Sequence, residues 1–554
     1  MGGPLLAASS KETAIVAHTP LLQFLKTLSS DVSLCEGRDI SVAQLIAERR
    51  AAPSRRRFIG AAVAMAATAV VPETAFAAPA KARIAIVGAG IAGLNAALTL
   101  QDSGIASTVY EASNRIGGRM FSATSIWADN QVSEWCGELI DSDHETIIGL
   151  ARRFGLALDD FAGNPNLRDT YKFLGRYYTV EQAYEDWRGG VQQAIAKDLE
   201  AAGESTTYDK FTPEGRKLDQ MSVAEWIDSR VPGGRKSPVG ALLDVAYAIE
   251  YGADTTDQSA LNVIYLLGAN KQTDAGEGFN VFGASDERYH IRSGNQQLPV
   301  RIARHLNNSV QLGMRMTSIA RNGDGTYALS FDGHPSVTAD LVILSLPFAV
   351  LRKIDTSGAG FDTRKNTAIQ ELGRGQSGKL QLQFTSRYWR EPGAWPGRGN
   401  GLSYTDEGYQ NTWEVSRRQF GAAGILNNYT GGSASLAKAT QTPFATAADA
   451  NVEHDAKAFL GGLEKVFPGG TAKWNGRAAS SLPALDPNLG ASYSYWRVGQ
   501  YTSFAGYEKV RQGNIFFAGE HCSADYQGFM EGGAAEGARA AREILAQLSR
   551  KTER

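Results

Sequence analysis

The sequence predicts an α/β architecture: a Rossmann-like dinucleotide-binding domain assembled from separated segments, with a mixed α+β domain inserted into it. Three stretches carry that expectation. Residues 83–119 read strand, glycine turn, helix, strand. Residues 340–347, DLVILSLP, form a near-continuous apolar run of the kind buried in parallel sheets. Residues 514–548 read strand, turn and alanine-rich helix. At 554 residues, 43% hydrophobic and 21% charged, the chain can bury a large core in more than one domain.

The first stretch is the most informative. Ile84–Val87 is a short apolar run suited to a buried parallel strand, and Gly88, Gly90 and Gly93 follow in G-x-G-x-x-G spacing. A helix-period segment covers Ile91–Gln101, and a second strand, Ser107–Tyr110, ends on Glu111, 18 residues after Gly93. Gly88 allows the tight turn, Gly90 lets a pyrophosphate approach the backbone, and Gly93 lets helix and strand pack closely. The helix start at Ile91 and Ala92 offers free N–H groups to phosphates. Glu111 can accept hydrogen bonds from an adenosine ribose. A strand before, a helix after and an acid at this distance are the context the motif needs. The competing interpretation is a glycine turn that only packs helix on strand.

The continuation separates NAD from FAD. Glu111-Ala112-Ser113-Asn114-Arg115-Ile116-Gly117-Gly118-Arg119 is an acid followed by R-x-G-G-R. Near the C-terminus, Ile515–Glu520 ends in A-G-E, and Tyr526–Gly533, YQGFMEGG, leads into the helix Ala534–Leu548. Together these resemble the flavin amine oxidase family, the superfamily of monoamine oxidases and L-amino-acid oxidases. The resemblance covers about residues 82–548, strongest at the two ends and thin through 160–285. It implies FAD, with Ala112, Arg115, Gly118 and Arg119 close to the flavin and its diphosphate, and Gly519 and Glu520 on the ribityl and phosphate. It also implies that Met316 holds the adenine by its backbone. Gly528, Phe529 and Met530 would place a helix N-terminus beneath the flavin pyrimidine, where it stabilises negative charge. Covalent relatives tether the flavin through a cysteine that is missing between Pro483 and Gly519, so FAD is expected to be noncovalent.

In chain order, residues 1–77 form an N-terminal extension in which Leu21–Leu28 reads as a short helix. Ser54-Arg55-Arg56-Arg57-Phe58-Ile59-Gly60 resembles the twin-arginine export motif. An apolar run, Ala61–Val71, and the small residues Ala75-Phe76-Ala77 follow, predicting cleavage before Ala78 and a periplasmic or secreted protein. The alternative is an internal basic and alanine-rich helix. The run is too short to span a membrane. The FAD-binding domain is expected from 78–160, 286–375 and 486–554, and the substrate domain from 161–285 and 376–485. A helix covers Glu145–Phe154. Residues 161–284 read as helical with few strands, and Tyr171, Tyr177, Tyr178, Trp187, Trp226, Tyr247 and Tyr251 are core or cavity residues, core being the better choice for any one. A helix is expected over Pro299–Leu306, strands over Val310–Ile319, Tyr327–Phe331 and Gly424–Asn428, and a helix over Ala445–Phe467. In 376–389, Lys379 falls on the polar face of an alternating strand.

Composition excludes several classes. A net charge of −2 without a basic stripe gives no reason to expect nucleic acid. Three cysteines make no disulfide framework, and seven scattered histidines without an H-x-x-x-H pair predict no metal site. The expected partners are a small-molecule amine or amino acid and O2. The oligomeric state stays open, a homodimer included.

Family resemblance implies oxidation of a C–N bond, with the cofactor supplying the chemistry and the protein supplying position and electrostatics. Lys379 matches the family lysine that reaches the flavin N5 through a water; the alternative is a solvated surface lysine. Two aromatic side chains commonly flank the amine. Phe529 falls at one such position, and Tyr493 or Trp496 supplies the other. L-amino-acid oxidases of the family carry an arginine for the carboxylate in a Gly-x-Met-Arg segment, where this chain has Gly137-Glu138-Leu139-Ile140. That favours an amine without a carboxylate, and Glu138 and Asp141 could meet a second cationic group. Arg292 or Arg497 would rescue the amino-acid alternative. A dehydrogenase or desaturase with another electron acceptor, and a non-catalytic flavin-binding protein, are the rival classes.

Overall fold

Apolar β-branched runs flanked by glycine build the sheet on which the molecule is organised. The structure, a computed structural model, describes residues 82–552 apart from 163, 165, 269–286 and 308. The extension and its export motif lie outside the described residues. Ile84–Val87 is buried at every position and sits at the centre of a five-stranded parallel sheet. The strand order is 515–517, 341–344, 84–87, 108–110 and 310–311. In register, Val87 stands beside Tyr110 on one side and Leu344 on the other, and Leu344 beside Phe517. The helix Ile91–Asp102 crosses the C-terminal helix Met530–Thr552 on one face of this sheet. The crossing is tight because the C-terminal helix is made of small residues there. Asn95 Nδ2 donates to the Ala534 carbonyl at 2.8 Å.

The second large unit is an eight-stranded sheet in the order 444–446, 474–481, 378–384, 424–430, 411–414, 399–405, 168–173 and 176–177. Its pairings are antiparallel except that 399–405 runs parallel to 168–173. The register aligns Ser481, Lys379, Tyr429, Asn411, Tyr404 and Tyr171 side by side across six strands. The helices Pro238–Tyr251 and Leu261–Gly268 belong to a core that holds Trp187, Trp226 and Tyr247 fully buried.

Residues 161–284 are mainly helical, as expected, with the two strands Arg168–Phe173 and Arg176–Tyr177 among the described residues. Two expectations are corrected here. Val310–Ile319 is two strands: Val310–Gln311 closes the parallel sheet, and Met316–Arg321 opens a three-stranded antiparallel sheet. The chain turns between them at Gly313, whose φ of +75° other residues resist. Ala445–Phe467 starts not as a helix but as the edge strand Phe444–Thr446; the helix is Ala450–Val466, capped by the Asp449 side chain on Asn451 N–H.

The helix crossing yields a test of sign. Alanine is a better helix former than glycine by roughly 1 kcal/mol. A Cβ on Gly537, however, would lie 2.0 Å from the Ala92 carbonyl oxygen, which is backbone and cannot swing away. Overpacking costs about 1–3 kcal/mol and more against an immovable obstacle. Gly537→Ala is therefore expected to lower the melting temperature by several degrees in scanning calorimetry; an unchanged or raised midpoint would show the crossing to be loose.

Candidate active site

The glycine turn places backbone donors where a diphosphate would sit. Gly88 adopts φ +108°, and a Cβ on Gly93 would lie 2.0 Å from the Gly88 carbonyl oxygen, so the helix can follow the strand this closely only with glycine there. The helix starting at Ile91 has no side-chain cap and no acid in its first turn. Its N–H groups and positive end are thus left for an anion. Glu111 is held rigidly: Ala89 N–H donates to Oε2 at 2.8 Å, and Ser113 N–H and Oγ donate to Oε1 at 2.9 and 2.8 Å. The carboxylate thereby also fixes the glycine turn.

Two arginines close the wall. Arg115 donates to the Gly118 carbonyl at 2.9 Å and lies 4.0 Å over the Phe121 ring. Arg119 Nη1 bonds Glu520 Oε1 at 2.9 Å and the Ser492 carbonyl at 2.8 Å. Glu520 Oε2 accepts from Gly528 N–H at 2.9 Å and Ser494 Oγ at 2.8 Å. Burial pushes the Glu520 carboxyl up, but Arg119 and these donors outweigh it and hold it below its ordinary value.

These groups line one continuous cavity of about 730 Å³ between the two sheets. Of the residues expected from sequence, Gly88, Gly90, Ile91, Ala92, Glu111, Ala112, Arg115, Gly118, Arg119, Met316, Gly519, Glu520, Gly528 and Met530 all contribute to its wall. So do Lys379, Tyr493 and Phe529. Gly93 lies behind the wall, where it serves packing. Trp496 is a correction: its ring lies tilted against Tyr501 at 4.7 Å and its Nε1 donates to Glu508 at 3.1 Å, away from the cavity. Residues three apart across the short strand Ser494–Tyr495 fall on opposite faces, so Tyr493 lines the cavity and Trp496 enters the core. The seven aromatics of 161–285 singled out from sequence also stand outside the wall.

Lys379 is buried, not solvated, at 6% exposure. Its Nζ pairs with Glu138 Oε2 at 2.6 Å, and Trp413 Nε1 donates to Glu138 Oε1 at 2.9 Å. Burial raises the Glu138 carboxyl, and the Lys379 charge with these two hydrogen bonds pulls it to a net value below normal. Tyr493 is fixed by three contacts: its hydroxyl donates to the Ile249 carbonyl at 2.9 Å, accepts from Ser377 Oγ at 2.9 Å, and meets the Tyr429 hydroxyl at 3.0 Å. Phe529 is braced by the His144 ring at 5.1 Å. Trp413, Tyr429 and Glu287 also line the cavity and were not found from sequence. Trp413 and Tyr429 sit on strands in register with the Lys379 strand, a pairing that sequence alternation alone does not reveal. Burial pushes the thiol of Cys136 up to about 11 and that of Cys522 up as well, so neither cysteine offers a thiolate to a cofactor.

The Lys379–Glu138 pair has a pH signature. A depressed carboxyl contributes stability above its unfolded value of 4.5, and that contribution is lost as pH falls through the lower folded value. Glu138→Gln leaves a buried ammonium uncompensated, which costs about 3–5 kcal/mol in comparable sites. The variant is expected to be clearly less stable in urea unfolding at pH 7, with the gap to the native protein narrowing below pH 4. A gap independent of pH would mean that the pair does not act through charge.

The flavin-containing amine oxidoreductase family model matches residues 91–545. The L-amino-acid oxidase of Mus musculus is 25% identical over 501 residues, covering 83% of this chain and 70% of that protein. Polyamine oxidase 1 of Zea mays is 23% identical over 489 residues, covering 85% and 91%. Among solved structures, the cyclohexylamine oxidase from Brevibacterium oxydans IH-35A shares the fold with a TM-score of 0.71 at 22% identity, covering 85% of this chain and 100% of that one. With glycine turn, uncapped helix, clamped Arg119–Glu520 pair and buried lysine in one cavity, and a family match over most of its length, the chain belongs to the flavin-containing amine oxidoreductases and takes FAD as its cofactor.

Proposed function

We propose that this oxidoreductase oxidises a primary amine that carries no carboxylate, with O2 as the electron acceptor. The charge of the cavity wall carries the reading. An amino-acid carboxylate buried without a cation is costly. Lys379 is already paired with Glu138. Arg115 and Arg119 are engaged at the cofactor end, and Arg315 and Lys353 stand at the Met316 end of the wall. Arg292 and Arg497, the alternatives open from sequence, are half-exposed or more and paired with Asp159 and Asp257. Arg417 lies over Phe161 at 4.4 Å and is not part of the wall.

Held by the glycine turn, Glu111 and the Arg119–Glu520 pair, FAD would supply the two-electron oxidation of the carbon beside the amine nitrogen, with O2 taking the electrons to give H2O2. The imine that leaves hydrolyses with one water to an aldehyde and ammonia. The protein's part is positional. Tyr493 and Phe529 present aromatic faces between which a neutral amine can lie. Lys379, held by Glu138, keeps a positive charge in a dry wall, where it favours electron transfer to O2. Met530 opens a helix whose N-terminus adjoins the same wall and favours negative charge on the cofactor ring.

A peroxide-coupled assay pairing each L-amino acid with its decarboxylated amine decides between the substrates. Peroxide is expected from amines such as phenethylamine or cadaverine and not from phenylalanine or lysine; the reverse would replace this reading with an L-amino-acid oxidase. If no peroxide appears but amines bleach the flavin anaerobically, the electrons go to an acceptor other than O2.

Residues 54–77 support export through the twin-arginine route, which moves folded, cofactor-loaded proteins. Changing Arg55 and Arg56 together to lysine is expected to leave uncleaved precursor in the cytoplasm on cell fractionation. Unaltered export would assign the segment another role.

A further inference from the structure

Glu287 is a buried acid, 7% exposed, on the cavity wall. Its backbone N–H donates to Asp141 Oδ1 at 2.7 Å, but its carboxylate takes no hydrogen bond and no ion pair among the described residues. This contrasts with every other carboxylate of the wall. Glu111 is bonded to Ala89 and Ser113, Glu138 to Lys379 and Trp413, and Glu520 to Arg119. Asp486, the remaining acid, bonds the Asn488 backbone at 2.7 Å. Trp413 and Tyr429, whose rings are 5.2 Å apart, line the same cavity and offer faces that attract cations.

We propose that Glu287 seats a second cationic group of the substrate, so that the substrate class is a diamine or longer polyamine. This rests on the reading that the substrate is an amine. A buried carboxylate without a partner is costly, and an ammonium arriving in the cavity removes that cost. One amine end would lie between Tyr493 and Phe529 and be oxidised; the other would meet Glu287. The charged groups that act on Glu287 are Asp141, Glu250 and Glu138, which repel its charge, and Arg417, which favours it. Burial first, and Asp141 next, push its carboxyl well above the ordinary range.

The test uses FAD-loaded enzyme with α,ω-diamines of three to eight carbons and the monoamines of matching length. The native enzyme is expected to favour the best diamine over its monoamine by about 10-fold or more in kcat/KM. Glu287→Gln should lower that ratio by about 10-fold or more, and Glu287→Asp should restore part of it. Equal use of diamines and monoamines by the native enzyme, or a ratio unchanged in Glu287→Gln, would overturn the assignment of Glu287 while leaving the amine reading intact. Turnover of L-amino acids with no turnover of any amine would overturn both.

Thermal unfolding supplies a readout that a merely structural residue would not give. A carboxyl raised in the folded state costs stability above its unfolded value of 4.5, and the cost grows with pH until the folded value is passed. The substrate-free Glu287→Gln enzyme should therefore melt higher than the native enzyme at pH 8, with the gain shrinking toward pH 5. A variant that melts lower at pH 8 would mean that the carboxylate is already satisfied without substrate, and the proposal would fall.

Discussion

The buried carboxylate of Glu520 holds the cofactor end of the molecule together. It takes Arg119 from the first segment, Ser494 from the segment leaving the eight-stranded sheet, and Gly528 from the turn before the last helix. Removing a charge of this kind leaves its largely buried partners uncompensated, which is why such hubs are costly to break. The arrangement also explains how a dinucleotide site can be assembled from pieces so far apart in the chain. Each piece brings one donor to a single acceptor.

The second constraint is charge balance on the opposite wall. The eight-stranded sheet presents a row of polar side chains, from Lys379 through Tyr429 to Asn411 and Tyr404, toward a space that strand-forming residues would ordinarily fill with hydrocarbon. Lys379 can be buried there because Glu138 comes up from the other domain to meet it. That pair, with Trp413 and Gln381 bonded to the same segment, ties the eight-stranded sheet to residues 134–138 and engages the Lys379 charge. The carboxyl of Glu287 stays outside this pairing on the same cavity wall.

Much of this was legible in the sequence. The strand at Ile84–Val87, the turn, the helix from Ile91 and the acid at Glu111 were readable because their chemistry is local: periodicity, glycine spacing and a short loop. Lys379 was readable because it falls on the polar face of an alternating strand, at the position of the family lysine. Long-range register was not readable. Trp413 and Tyr429 become neighbours of Lys379 only through strand pairing. Trp496 and Tyr493 lie on opposite faces because a strand runs between them, and no pattern marks which face meets the cavity. Glu287 stands at the end of a stretch without periodicity, so nothing in the sequence distinguishes it from a surface acid. The false continuity of Val310–Ile319 has a plain cause: Gly313 breaks the strand while the apolar pattern runs on.

The parallel sheet carries a consequence for how the protein comes into being. Its edge strand, 515–517, and the Glu520 and Gly528 donors and acceptors beyond it are the last parts of the chain to leave the ribosome. Until then the cradle has a glycine turn and a helix but lacks a wall, and Arg119 has no acid to grip. A nascent chain thus leaves the apolar flank of 341–344 uncovered until residues 515–517 follow, and contacts this distant in sequence form slowly. The cradle is therefore complete only when residues 515–528 have joined the sheet and brought Glu520 to Arg119, like an arch that stands only with its last stone.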